Sequence, residues 1–404
     1  MFPSHSIHNR ALRFGPLNET KLKPFSITFS QREIDDLRDR LAQIRWPDEV
    51  PSSGWDDGVD LRFLQQTCDY WKTEFDWKLQ VERLSAFRHY RYERDGGGVH
   101  FIHERGKGRS PIPLILTHGW PGSFVEMLRI IPLLTDPAAY GGDSADAFDI
   151  VVPSLPGFGF SDRPAQGGVN TSRVAEIWAE LMRELGYNRF AVQGGDIGAG
   201  VSTVLGLRHP DRIMGIHLNF IPGSYRPCLE EQPALSPAEE EFLVKVALWS
   251  ERSGAYAHIQ RTRPQTAGYS LNDSPAGLAA WILEKFHEWS DCDGDLYSRL
   301  SRDELLTNVT LYWMTQTITS SFRMYYENRK APLHLAPGEF VRPPCAIAIF
   351  PKEIAFPPRE WVERGYNVQR WTEMPRGGHF AAREEPELLA NDIREFFRGF
   401  RNQS

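Results

Sequence analysis

The stretch from Arg189 to His209 restricts the fold of this chain more than any other. Phe190, Ala191 and Val192 form a short apolar run that reads as a buried strand, and Ile197 to His209 carries Val201, Val204, Leu205 and Leu207 among helix formers. Between them lies Gln193-Gly194-Gly195-Asp196-Ile197-Gly198-Ala199-Gly200, a turn that frames one carboxylate with glycines. Glycine leaves room for the sharp strand-to-helix turn of a nucleophile elbow, which lifts its central side chain clear of a sheet. Taken alone, Gly-Gly-Asp-x-Gly is as readily a turn in which Asp caps a helix. A nucleophile at Asp196 therefore requires partners elsewhere in the chain.

A carboxylate in place of the usual elbow serine selects the chemistry. Serine attacking an sp3 carbon would end as an ether, which water does not cleave under mild conditions. Aspartate ends as an ester, which an activated water can hydrolyse to restore the carboxylate. Epoxides and alkyl halides are the substrates such a cycle suits.

The remaining sequence supplies a framework for that elbow. Apolar runs at Ile112–Leu116, Phe148–Val152, Phe190–Val192, Ile213–Leu218, Ala346–Phe350 and Val368–Trp371 read as strands of a mostly parallel sheet, with helices such as Val174–Leu185 between them. Earlier, Ser30-Gln31-Arg32-Glu33 has capping-box form, with Ile34, Leu37, Leu41 and Ile44 on one helical face. Leu61 to Leu84 reads as one further helix, and Gly96-Gly97-Gly98 as a turn between strands Tyr90–Tyr92 and Val99–Ile102. From Pro222 to Pro332 the pattern is helical throughout, with starts at Ser236-Pro237 and Ser274-Pro275. The expected organisation is an α/β core over residues 106–222 and 332–404, a helical cap over 223–331, an N-terminal segment over 21–105 and a mobile arm over 1–20.

Charge and cysteine usage narrow the partners. A net charge of −7 with no basic run argues against nucleic acid. Cys68, Cys228, Cys292 and Cys345 are widely spaced and form no Cys-x-x-Cys pair, so no zinc site or disulfide framework is expected, and no cofactor. No leader-like segment and no bilayer-spanning apolar stretch stand out, so a soluble cytoplasmic protein is expected. The oligomeric state, a homo-oligomer included, stays open.

Partners for Asp196 are present in a suggestive order. His118-Gly119-Trp120-Pro121-Gly122-Ser123 follows the Ile112–Leu116 strand, where an oxyanion-hole loop belongs, so the amides of Trp120 and Ile197 are the candidate donors. Glu353 follows the Ala346–Phe350 strand, and His379 stands in Gly377-Gly378-His379-Phe380 before the last helix, completing the order nucleophile, acid, histidine. His379 would activate water and Glu353 would orient it, with Asp149 and Asp162 as less suitable acids. Opening an epoxide also needs an acid opposite the nucleophile, which a phenol supplies, but pattern alone does not select among 13 tyrosines.

Arg45-Trp46-Pro47, His118-Gly119-Trp120-Pro121-Gly122-Ser123, Gly194-Gly195-Asp196, Asp273-Ser274-Pro275-Ala276-Gly277-Leu278 and Gly377-Gly378-His379 together resemble the microsomal-type epoxide hydrolases of the α/β-hydrolase fold, over roughly residues 22–400. The resemblance implies Asp196 as nucleophile, Glu353 and His379 as the relay pair, and Trp120 in the oxyanion loop. It also implies cap tyrosines at Tyr256 and Tyr325, with the adjacent Tyr326 leaving the second open by one residue. The implied reaction turns a small apolar epoxide and water into a vicinal diol. A haloalkane dehalogenase shares the Asp nucleophile but commonly places Trp directly after it, where this chain has Ile197. A hydrolase-fold binding protein without catalysis is the remaining rival. Xenobiotic clearance, hormone or lipid turnover and biosynthesis all fit the sequence, and an aromatic-rich cap with few charge anchors suggests an apolar, bulky substrate.

Overall fold

The computed structural model describes residues 21–230 and 233–403, so the arm expected over residues 1–20 lies outside them. After strand β1 (Leu22–Pro24) comes helix α1 (Gln31–Ala42), whose Ser30 cap accepts from the Glu33 amide while the Glu33 carboxylate takes the Ser30 amide. Residues 61–84 form two helices rather than the expected one, α2 (Leu61–Thr73) and α3 (Trp77–Leu84). The break is made by Asp76, whose carboxylate accepts from the Leu79 amide at 3.1 Å, and by Phe75, which turns inward and is buried. Strands β2 (His89–Tyr92) and β3 (Val99–Glu104) pair as the expected hairpin.

The chain then alternates. Strand β4 (Ile112–Thr117) leads through helix α4 (Ile130–Thr135) to β5 (Phe148–Pro153), followed by α5 (Thr171–Glu184), β6 (Phe190–Gly194), α6 (Asp196–Arg208) and β7 (Ile213–Leu218). Six helices come next: α7 (Pro237–Ser253), α8 (Ala255–Thr262), α9 (Pro264–Leu271), α10 (Pro275–Trp289), α11 (Arg302–Thr315) and α12 (Ile318–Asn328). The alternation resumes with β8 (Val341–Ile349), α13 (Arg359–Glu363), β9 (Tyr366–Glu373), α14 (Ala381–Glu384) and α15 (Pro386–Phe397). Strand β8 starts earlier than its apolar run, at Val341, because Pro343 and Pro344 fall where the register with β9 shifts and no ladder donor is needed there.

One nine-stranded sheet results, in the order β1-β2-β3-β5-β4-β6-β7-β8-β9. The pairs β1–β2, β2–β3 and β3–β5 are antiparallel, and the other five are parallel. Every residue of β5, β6 and β7 is buried, as expected for strands covered on both faces. Because β4 has β5 on one side and β6 on the other, the chain reverses direction across the sheet there. The loops leaving the carboxyl ends of β4 and β6 border the crevice of that switch point, where open α/β sheets bind ligands.

The N-terminal segment ties the inserted helices down. From α2, Trp71 donates its indole N–H to Thr310 Oγ1 at 2.9 Å and Tyr70 its hydroxyl to Asp303 at 2.8 Å, both on α11. Among the described residues no helix is long and apolar enough to cross a membrane.

Candidate active site

The elbow forms because its surroundings leave no space for side chains. A Cβ on Gly198 would stand 1.9 Å from the carbonyl oxygen of Thr117 on β4, and a Cβ on Gly119 would stand 2.3 Å from Cβ of Asp196. With both positions bare, the loop after β4 closes directly onto the turn after β6. Asp196 itself sits at φ 46°, in the left-handed region, a conformation that costs a non-glycine residue about 1–3 kcal/mol and persists only where packing enforces it. The side chain is thereby aimed over the end of the sheet.

One oxygen of this carboxylate is held by backbone. The Trp120 amide donates to Asp196 Oδ1 at 2.8 Å, and the Ile197 amide also bonds the carboxylate. The loop that carries Trp120 is fixed from several sides. Leu155 donates its amide to His118 Nε2, which assigns the ring proton to Nδ1, facing the Gly119 carbonyl at 3.0 Å. Burial pushes the His118 imidazole down to about 4, so it stays neutral and structural. From α11, Asn308 donates to the Pro121 carbonyl at 2.8 Å and Tyr312 to that of Gly122 at 2.8 Å, while Ser123 donates back to Asn308 Oδ1 at 2.7 Å.

His379 and Glu353 approach from the other parallel strands. The two loops are stitched together where Lys352 donates its amide to the Gly377 carbonyl, and the His379 amide donates to Trp289 at the end of α10, at 2.9 Å. His379 Nδ1 lies 2.7 Å from Glu353 Oε1, and Nε2 lies 3.8 Å from Asp196 Oδ2. The imidazole is packed between Trp289 and Phe220, at ring distances of 5.2 and 5.5 Å. Burial alone would lower its pKa, but Glu353 and, less strongly, Asp196 and Glu126 outweigh it and carry His379 up to about 9. Burial raises the Asp196 carboxyl above its usual range, against the pull of His379 and the two amides.

The other sequence candidates separate cleanly in space. Tyr256 on α8 and Tyr325 on α12 face one another across 6.1 Å between ring centroids, and both line the cavity that contains Asp196. Tyr256 stacks on Trp120 at 5.2 Å. Burial, with Asp196 adding to it for Tyr256, drives both phenols far above their ordinary pKa, so both keep their protons. Tyr326 instead lies beneath Arg329 and Lys330 and is absent from the cavity wall. Asp149 is tied to Gly106, Tyr187 and Arg105, and Asp162 to Arg91 and Gly98, so neither alternative acid reaches the site.

Three contributors escaped the sequence reading. Trp289 and Phe220 frame His379 but arrive by tertiary packing from helical and loop segments that carry no motif. Glu126 lies three residues past the Ser123 turn, and burial lifts its carboxyl to about 7 although His379 opposes the shift. The capping-type run Ser123-Phe124-Val125-Glu126 was the available signal.

A cavity of about 520 Å³ is lined by Asp196, Tyr256 and Tyr325, with Phe220, Ile221, Phe242, Leu243, Val246 and Trp249 among its other walls. An open, mostly parallel sheet, a carboxylate at its strained elbow with a hydrogen-bonded His379–Glu353 pair beside it, and phenols opposite define an α/β-hydrolase whose elbow carries aspartate. Residues 22–127 match the family described as epoxide hydrolase N terminus, and residues 112–253 match the alpha/beta hydrolase fold. A Stigmatella aurantiaca protein with a provisional epoxide hydrolase name is 46% identical over 385 residues, covering 94% of this chain and 86% of that protein. Epoxide hydrolase 1 of Oryctolagus cuniculus is 39% identical over 410 residues, covering 94% and 89%. The crystal structure of juvenile hormone epoxide hydrolase from the silkworm Bombyx mori superposes with a TM-score of 0.82 at 30% identity, covering 96% of this chain and 97% of that one. The chain belongs to the epoxide hydrolase family, hydrolases that act on the ether bond of an oxirane.

Proposed function

We propose that this epoxide hydrolase turns an epoxide with an apolar body into a vicinal diol through an ester on Asp196. Oδ2 attacks one oxirane carbon, the C–O bond breaks, and the departing oxygen takes a proton from the Tyr256 and Tyr325 pair opposite. Oδ1 becomes the ester carbonyl oxygen and already lies at the Trp120 amide, 2.8 Å away. His379 Nε2 then takes a proton from water, whose oxygen attacks Cγ of Asp196. The tetrahedral oxyanion forms at Oδ1, against the Trp120 and Ile197 amides; on collapse the leaving oxygen takes the proton from His379 to complete the diol, and the proton left on the Asp196 carboxyl passes through solvent to the phenol pair, restoring the carboxylate.

Charge times the second step. At neutral pH the resting His379, with its pKa near 9, is an imidazolium that balances Asp196. Alkylation neutralises Asp196 and removes one of the charges that hold the imidazole proton. Alkylation therefore lowers the imidazole pKa, although Glu353 still raises it, and a larger share of His379 is free to act as base once the ester has formed.

The observation that carries this reading is the division of the Asp196 carboxylate, with Oδ1 on an amide and Oδ2 turned toward His379. A single turnover in oxygen-18 water tests it: the label should enter Asp196 and leave the first diol unlabelled. Label in the first diol would show direct attack of water on the oxirane.

A further inference from the structure

The cavity is apolar along much of its wall, yet three arginines from three separate elements also line it. Arg226 lies in the chain after β7, Arg261 near the end of α8, and Arg329 directly after α12. Arg329 follows Tyr325 by four residues, which on a helix puts it on the same face about 6 Å farther along the axis. Tyr256 is buried, whereas Arg261 and Arg329 are exposed and Arg226 is half-buried, so at least two of the three cations stand where the cavity wall meets solvent.

Among the described residues that line the cavity, Asp196 is the one acid. Among the described residues, none of the three arginines pairs with a carboxylate. Arg226 donates to the carbonyls of Gly223 and Tyr225 at 3.1 and 2.7 Å, Arg261 reaches His258 Nδ1 at 3.3 Å, and Arg329 lies 5.6 Å over the Tyr326 ring. Two exposed arginines outside the cavity, Arg88 and Arg359, do pair with acids, Glu104 and Glu363. Lining one cavity with three cations, one of them partly desolvated, is unfavourable unless an anion joins them. Guanidinium groups bind carboxylates through paired, charge-assisted hydrogen bonds.

We propose that the substrate is an epoxide bearing a carboxylate at the end remote from the oxirane, with Arg226, Arg261 and Arg329 binding that carboxylate. The apolar wall then takes the chain between the two ends. This rests on the reading of Asp196 as the centre of epoxide hydrolysis.

The test compares ω-epoxy alkanoic acids with their methyl esters, in matched pairs of increasing chain length, on the wild-type chain and on Arg226→Gln, Arg261→Gln and Arg329→Gln. At the chain length that spans the cavity, kcat/KM for the acid should exceed that for the ester by about tenfold or more. The advantage should shrink with added salt, and the acid-to-ester ratio should fall toward one in each variant. Arg226 also holds two loop carbonyls, so if its variant fails to fold, the exposed Arg261 and Arg329 positions decide. An ester hydrolysed as well as or better than its acid at every chain length overturns the carboxylate proposal and leaves epoxide hydrolysis standing. Diol from neither series overturns both.

Discussion

Nε2 of His379 stands 3.8 Å from Oδ2 of Asp196, beyond hydrogen-bonding reach, while the other carboxylate oxygen is fixed on the Trp120 amide at 2.8 Å. The two oxygens of one side chain are thus distinct before any substrate enters. In the proposed mechanism the held oxygen becomes the carbonyl of the ester and the free one is the attacking atom. The imidazole faces the free oxygen, on the side from which water must approach.

In the proposed mechanism the two phenols share one task, so their variants should not behave as independent losses. Tyr256→Phe and Tyr325→Phe should each slow ester formation by about tenfold, and the double variant by about a thousandfold or more, well past the roughly hundredfold that independent losses would give and within the range for general acid catalysis. Single-turnover kinetics on a reactive epoxide measure this step directly. Tyr326→Phe, outside the cavity wall, should leave the rate unchanged. A large loss at Tyr326 with none at Tyr325 would reassign the second acid.

The His379 shift has consequences of known sign for both stability and rate. Its folded pKa near 9 lies above the ordinary 6.5, so the imidazolium contributes stability that is fully present below about pH 6.5 and is lost as pH rises through about 9. Thermal unfolding of the wild type should therefore lose more between those values than that of His379→Gln. In single turnovers the ester should decay faster as pH rises and level off below pH 9, because the ester lacks the Asp196 charge that helps raise the imidazole. Equal loss of stability in both proteins, or ester decay that slows with rising pH, would contradict the assignment.

Gly198 offers a test of the elbow itself. An added Cβ would press within 1.9 Å of a backbone oxygen, which no side-chain rotation relieves. Gly198→Ala should lower unfolding stability in urea by about 3 kcal/mol or more, at the upper end of overpacking costs. An alanine variant with wild-type stability would mean that β4 and the turn are less tightly joined than the geometry requires.

Much of the scaffold was legible because it is written in local pattern. Buried strands announced themselves as apolar runs, and Asp196, Glu353 and His379 each stood just past a strand end among turn residues, in hydrolase order. What stayed hidden depended on contacts between distant segments or on local competition. The break at Asp76 arises because its side chain caps a helix, which an uninterrupted apolar pattern does not reveal. Choosing Tyr256 and Tyr325 required resemblance, since cap helices are rich in aromatics and only their packing decides which phenols face Asp196. Trp289 and Phe220 around His379 are equally products of packing. The sequence shows few charge anchors in the cap because Arg226, Arg261 and Arg329 are scattered along it, and only folding places all three on one cavity wall.

The covalent ester is tested most directly by the intact mass of His379→Gln after exposure to a reactive epoxide. Removing the base should leave attack by Asp196 in place and block hydrolysis, so the protein should gain the mass of one substrate molecule, with the adduct mapping to Asp196. A variant that remains at its unmodified mass with every reactive epoxide, while the wild type forms diol from the same compounds, would contradict a covalent intermediate on Asp196.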